Sequence, residues 1–189
     1  IVRANPDVWI IPRVYLWSPA WWDEANPGEL MRYNDGSSER EMQHITDSKR
    51  KTSNPSWASE KWREDTAYCL RRFIAHVRSQ PYGKRVIGYH IASGGTEEWF
   101  YWGAYEDYLV DYSEPQRDAF RRWLREKYGS GDELKRAWNN GDVSFPTAAI
   151  PSYDERKNTT MMFFRDPAKE RHVMDYYQFH SHLVADAID

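Results

Sequence analysis

Between Pro55 and Ala92 the hydrophobic spacing changes from helical to extended, and that change limits the fold more than any other feature of the chain. Ala58, Trp62, Thr66, Cys69, Leu70, Phe73, Ile74 and Val77 recur at spacings of three and four. Such a stripe buries one face of a helix, predicted here to run for about 22 residues. Asn54-Pro55 sets its boundary and Ser56 can cap it. Pro81-Tyr82-Gly83 ends it. Arg85 through Ala92 then reads as a largely apolar strand. A long helix feeding such a strand is the grammar of α/β architecture.

The flanking sequence extends the pattern. Val8 to Leu16 is rich in β-branched and aromatic residues and reads as a strand, with Pro12 marking an irregularity or an edge. Ser18 to Asp23 reads as a loop leaving it, and residues 33–56 as a long polar surface loop with room for a short hairpin. Trp99 to Tyr112 is an aromatic loop. Ser113-Glu114-Pro115-Gln116 and Ser130-Gly131-Asp132-Glu133 each fit a capping box. They open two helices, with Ala119, Phe120, Trp123, Leu124 and Tyr128 on the apolar face of the first and Gly129 as its stop. Residues 139–165 read as irregular. Asp166-Pro167 starts a last helix, whose apolar face holds Val173, Met174, Tyr177, Phe179, His180, Val184 and Ile188. No internal repeat or linker interrupts the chain, so 1–189 is expected to be a single unit.

Composition removes several classes of function. The 26 basic and 29 acidic residues are mixed and leave a net charge of −3, with no basic stripe for nucleic acid. No apolar run approaches the roughly 20 residues of a membrane helix. Cys69 is the only cysteine, which excludes an internal disulfide and a thiolate zinc cluster. His180 and His182 stand two apart on a predicted helix and do not share a face, so no metal is expected. Ser93-Gly94-Gly95 lacks the spacing of a phosphate-binding loop, and no cofactor is expected. Asn158-Thr159-Thr160 matches a glycosylation sequon, a match frequent by chance. A soluble protein is expected, with export left open because the chain starts at Ile1 rather than Met.

The chemistry is concentrated where the second strand ends. Ser93-Gly94-Gly95-Thr96 leads into Glu97-Glu98-Trp99. A carboxyl on an exposed loop after a rigid strand is a common place for a catalytic acid. Ten Trp, thirteen Tyr and seven Phe make the chain rich in rings, and Trp17, Trp21, Trp22, Trp99, Tyr101 and Trp102 fall in loop-like sequence. Aromatic faces stack on the apolar face of a pyranose. Together these features suggest glycosidic chemistry, against the plainer reading of a surface turn and core aromatics. A retaining glycosidase needs two carboxyls about 5–5.5 Å apart. Neighbours in an extended chain point to opposite sides, so at most one of Glu97 and Glu98 serves as acid/base. Glu98 is favoured, because partial burial against the rings would raise its pKa. Glu97 is the alternative, or a ligand for a sugar hydroxyl. Arg13 and His90 are candidate polar contacts, and Trp21, Trp22, Trp99 and Trp102 a candidate sugar platform.

Phe120-Arg121-Arg122-Trp123-Leu124-Arg125-Glu126-Lys127-Tyr128-Gly129, followed by Leu134 and Ala137-Trp138, resembles a stretch of the family-42 β-galactosidases. In that family the stretch follows the fourth barrel strand, which carries the acid/base. Asn5-Pro6, Arg13 and Pro19-Ala20-Trp21-Trp22 resemble an earlier strand of the same family, and the likeness covers roughly residues 1–140. The resemblance implies part of a (β/α)8 barrel of the retaining clan. Where the family places Asn before the acid/base to hold the sugar 2-hydroxyl, this chain has Thr96, which joins the candidate sugar contacts, or Glu97. A complete barrel of this kind needs about 250 residues. The 189 residues are therefore expected to be a fragment holding the central strands and their helices. The family's nucleophile, a glutamate on the seventh strand, would then lie outside this chain, and the fragment alone would be inactive.

Three functions follow as expectations. The first is a β-galactosidase-like glycoside hydrolase. The second is a non-catalytic carbohydrate-binding protein on the same scaffold, and the third a scaffold whose aromatics are all core. The expected partners are a carbohydrate and either the remainder of the same polypeptide or a self-associated copy.

Overall fold

The computed structural model describes residues 1–41, 51–94, 98–101 and 108–188. The elements in order are β1 (Arg13–Tyr15), α1 (Ala20–Ala25), β2 (Glu39–Glu41), β3 (Lys51–Ser53), α2 (Glu60–Ser79), β4 (His90–Ala92), α3 (Glu114–Tyr128), α4 (Gly131–Trp138), α5 (Tyr153–Lys157) and α6 (Arg171–Ile188). β1 and β4 pair in parallel, with Arg13 opposite His90, Val14 opposite Ile91 and Tyr15 opposite Ala92. The long connection through α2 makes the unit β-α-β, as the change of period requires. The hairpin β2–β3 is antiparallel and falls in the polar stretch read as a surface loop with room for a short hairpin.

The two predicted strands are shorter than their sequence patterns. Upstream of the ladder the strands meet at a parallel bridge, Ile10 to Val86, with the Arg85 guanidinium over the Trp9 ring. From Ile10 to Arg13 is three steps, whereas from Val86 to His90 is four, so the second strand carries one extra residue. Pro12 lies in this interruption. It has no N–H to give, and its carbonyl accepts from the His90 N–H at 2.9 Å.

The first strand alternates cleanly. Trp9, Ile11, Arg13, Tyr15 and Trp17 are exposed, while Ile10, Pro12 and Val14 are half-buried and Leu16 is buried. Val14, Leu16 and Ile91 pack with the helices in one core, together with Trp57, Trp62, Phe120, Leu124, Leu134, Tyr176, Phe179 and Leu183. One face of the parallel pair is therefore covered by helices. The other presents Trp9, Ile11, Tyr15, Trp17 and Ile87 outward. Parallel sheets are normally covered on both faces, and this strand is apolar on both.

Local caps explain the helices and correct several expectations. α2 starts at Glu60 rather than near Pro55, because Ser59 and not Ser56 accepts from the N–H three residues on, that of Trp62. Ser113 and Ser130 cap α3 and α4. Neither makes a reciprocal box: Gln116 bonds Tyr176, and Glu133 pairs with Arg136. The reciprocal box is at Ser152 and Glu155, which opens α5 inside the stretch read as irregular. Most of residues 18–23, read as loop, belong to α1. The last helix starts at Arg171, and Asp166-Pro167 belong to the turn before it. Among the described residues no helix is long and apolar enough to cross a membrane, and no cluster of His, Cys, Asp or Glu could hold a metal ion.

Candidate active site at the carboxyl ends of the parallel strands

β4 ends at Ala92, which is fully buried, and the chain turns at once. Gly94 has φ +78°. A Cβ there would lie 2.3 Å from the Phe100 carbonyl oxygen and 2.9 Å from Cζ2 of Trp57, so only glycine fits. The Trp99 N–H closes the turn on the Ser93 carbonyl at 2.8 Å. Trp99 itself sits at φ +60°, unusual for a bulky residue. Its indole N–H reaches back to the Ile91 carbonyl at 3.2 Å.

Glu98 lies in this turn and is exposed. The expected partial burial against the aromatic cluster is not found. The ring after it, Trp99, turns inward instead and is half-buried against Trp57, with centroids 5.4 Å apart. Glu97, Thr96 and Trp102 lie outside the described residues.

Arg13 and His90 are partners in the ladder and are both exposed. Side chains opposite one another in register share a face, so the two stand together on the uncovered side. The Arg13 guanidinium lies over the Tyr15 ring at 5.4 Å, and Tyr15 is 6.2 Å from Trp17. The strand ends thus gather a cation, an imidazole and two exposed rings on one face, with Glu98 on the turn after β4.

Trp21 and Trp22 part company. Trp21 is 69% exposed on α1, whereas Trp22 is 5% exposed. Trp22 gives its indole N–H to Asp65 on α2 at 2.8 Å, which with Lys61 holds that carboxyl below its usual range. Trp22 is a core residue here, and the pair does not form a joint platform.

Behind the turn lies a buried aromatic and polar group that sequence reasoning missed. Trp57 stacks on Tyr101 at 4.5 Å and 14°, and Tyr101 on His180 at 4.4 Å. The Trp57 indole N–H donates to Ser93 Oγ at 3.2 Å. Burial pushes the His180 pKa down to about 4, and the Arg156 cation adds to the effect. Arg156 is buried, donates to the Val110 carbonyl at 2.6 Å and stands over the Tyr176 ring at 4.9 Å. Burial raises Asp111 against the hydrogen bonds it accepts from Ser56, Arg32 and Ser113. The sequence signals were His180 on the predicted apolar face of the last helix and Tyr101 in the aromatic loop, and no spacing rule joined them to Trp57. A cleft of about 210 Å³ among α2, α3 and α6 and one of about 300 Å³ between the starts of α2 and α3 open elsewhere, and neither touches these residues.

This arrangement can present one carboxyl, held by a rigid backbone turn, beside polar and aromatic groups that suit a sugar. The β-galactosidase Bga of Halorubrum lacusprofundi is 32% identical over 97 residues, which are 51% of this chain and 12% of that protein. The β-galactosidase of the psychrophilic Marinomonas ef1 has a similar fold, with a TM-score of 0.59 and 22% identity over 95% of this chain. That of Bacillus circulans sp. alkalophilus gives 0.59 and 18% over 90%. The chain spans 24% and 22% of those two structures. The family model described as β-galactosidase matches residues 17–189, so the chain belongs to glycoside hydrolase family 42.

Proposed function

We propose that residues 1–189 are a catalytic-barrel segment of a β-galactosidase-like glycoside hydrolase and that Glu98 is its general acid/base. The observation that carries this is the position of Glu98, on a glycine-pinned turn directly after a parallel strand. Barrel enzymes build their sites at such ends. In this reading the uncovered face of β1 and β4 lines a barrel interior completed by further strands, and a glutamate outside this chain is the nucleophile. That glutamate attacks the anomeric carbon while protonated Glu98 gives its proton to the departing glycosidic oxygen. The resulting glycosyl ester is cleaved by water, whose proton Glu98 takes, restoring both carboxyl groups. Arg13 and His90 would bind sugar hydroxyls, as would Thr96, while Trp21, Trp99 and Trp102 would shape the pocket. The substrate is a carbohydrate, a β-galactoside first.

The test is Glu98→Gln in the native polypeptide that carries these residues. Turnover of phenyl β-galactoside should fall by about 10² to 10⁴, while galactose binding survives. If Glu97→Gln abolishes turnover and Glu98→Gln does not, the role passes to Glu97. The exposed Trp17 and Trp21 support a second reading, carbohydrate binding without hydrolysis. In that case galactose would perturb tryptophan emission with no turnover in the unmutated protein.

A further inference from the structure

We propose that Trp57 is a positioning residue: its buried indole is the template on which the turn carrying Glu98 is held. The inference rests on the reading of Glu98 as acid/base. Four parts of the turn meet this one ring. Ser93 Oγ accepts its N–H at 3.2 Å. Gly94 passes so close that a methyl group would sit 2.9 Å from Cζ2. Trp99 packs 5.4 Å away, and Tyr101 stacks at 4.5 Å. Glu98 lies between the second and third of these contacts, so the ring fixes the chain on both sides of the carboxyl.

The ring can serve as a template because its own backbone is locked. The Ser56 N–H donates to the Glu29 carbonyl at 2.8 Å, and Ser59 Oγ donates to the Glu29 carboxylate at 2.6 Å. Arg63 Nε donates to the Trp57 carbonyl at 2.7 Å. Trp57 is 1% exposed, and the His180 ring lies 6.0 Å away and 7° from parallel, stacked in turn on Tyr101. The turn, by contrast, contains strain. Trp99 at φ +60° occupies a region that disfavours a bulky side chain and persists only where its surroundings over-determine it. Trp57 supplies much of that determination. Without it the turn can relax, and the carboxyl of Glu98 loses its aim.

Aim matters most when the proton must be delivered. A poor leaving group departs only with full protonation, whereas 2,4-dinitrophenolate departs without help. A defect in fold or in sugar binding lowers both substrates alike. The native polypeptide should therefore be compared as Trp57→Leu, Trp57→Phe, Ser93→Ala and Glu98→Gln, on phenyl and 2,4-dinitrophenyl β-galactosides. Hydrogen exchange of residues 93–101 is followed in parallel. Trp57→Leu should lower kcat/KM for the phenyl substrate at least about tenfold more than for the dinitrophenyl substrate, and raise exchange in the turn. Trp57→Phe, which keeps a ring and loses the N–H, and Ser93→Ala should show the same pattern at smaller size. They carry the test if Trp57→Leu does not fold. Equal losses on the two substrates, or unchanged exchange at 93–101, overturn the inference. Glu98→Gln separates the two readings. If it shows no discrimination between leaving groups, the acid/base assignment fails, and with it this role for Trp57.

Discussion

The hydroxyl of Tyr128, at the end of α3, donates to Oδ2 of Asp175 on α6 at 2.6 Å. The same oxygen takes the Trp138 indole N–H from α4 at 2.8 Å, and Oδ1 takes Lys127 Nζ at 2.8 Å. One carboxylate, 1% exposed, therefore joins three helices. Asp175→Ala leaves the Tyr128 hydroxyl and the Trp138 indole without an acceptor and should cost about 3 kcal/mol, the low end for a broken buried pair because Lys127 keeps Gln178 and some access to water. Tyr128→Phe removes one bond of the three and should cost about 1 kcal/mol. Urea melts of the two variants check the ratio.

His180 makes stability depend on pH in a definable window. Its folded pKa is about 4 against the usual 6.5. Above pH 6.5 both states are neutral. As pH falls below 6.5 the unfolded chain takes the proton and the folded chain does not, so stability is lost until about pH 4, by up to about 3 kcal/mol. Its neighbours Arg156, Tyr101 and Trp57 offer no negative charge in that range. His180→Phe should flatten the profile between pH 6.5 and 4 in denaturant titrations.

Glu170 acts in a lower window. The Thr160 hydroxyl, backbone N–H groups of Asp166 and Thr160, and Arg165 hold its pKa at about 2 against the usual 4.5. The stability it adds is complete above pH 4.5 and is lost as pH falls to 2. Glu170→Gln should remove only this second limb of the acid profile, leaving the limb of His180 intact.

Gly94→Ala should cost about 2 kcal/mol or more. The new Cβ meets a carbonyl oxygen at 2.3 Å in a backbone already at φ +78°. The Trp99 ring should become more accessible, which acrylamide quenching would report.

The adjacent tryptophans of α1 should behave oppositely. Trp22→Ala empties a core site and orphans a hydrogen bond to Asp65, a loss of about 3–5 kcal/mol. Trp21→Ala should leave stability within about 0.5 kcal/mol. If Trp21 meets the sugar, its loss appears as a raised KM instead.

The elements with strong local signals were legible in the sequence. α3 and α4 have serine caps three residues before the N–H they satisfy, and Gly129 stops α3 at φ +68°. The parallel pairing of the two strands was legible from the helix between them. The stripe on α2 was only half right. Ala58, Trp62 and Val77 are buried and Thr66, Leu70 and Ile74 half-buried, but Cys69 and Phe73 are exposed, although Phe73 meets the Tyr89 ring. The capping box at Ser152 was present in the sequence and passed over, since the five-residue helix it opens has too few turns to show a period. At the site, the turn and its carboxyl were visible, whereas the exposure of Glu98 was not. Which ring turns inward depends on the positive φ of Trp99, and no spacing rule encodes that. Trp22 failed for a related reason. Its burial depends on Asp65, 43 residues on, a partner that only the tertiary fold supplies.

The extra residue between Val86 and His90 sets the phase of all that follows it. Had the strands run in step from Ile10 and Val86, Arg13 would lie opposite Tyr89, and the imidazole would turn toward the helices, where Tyr89 now meets Phe73 on α2. A single slip in the count thus decides whether an imidazole or a phenol greets the guanidinium, before any side chain selects a rotamer.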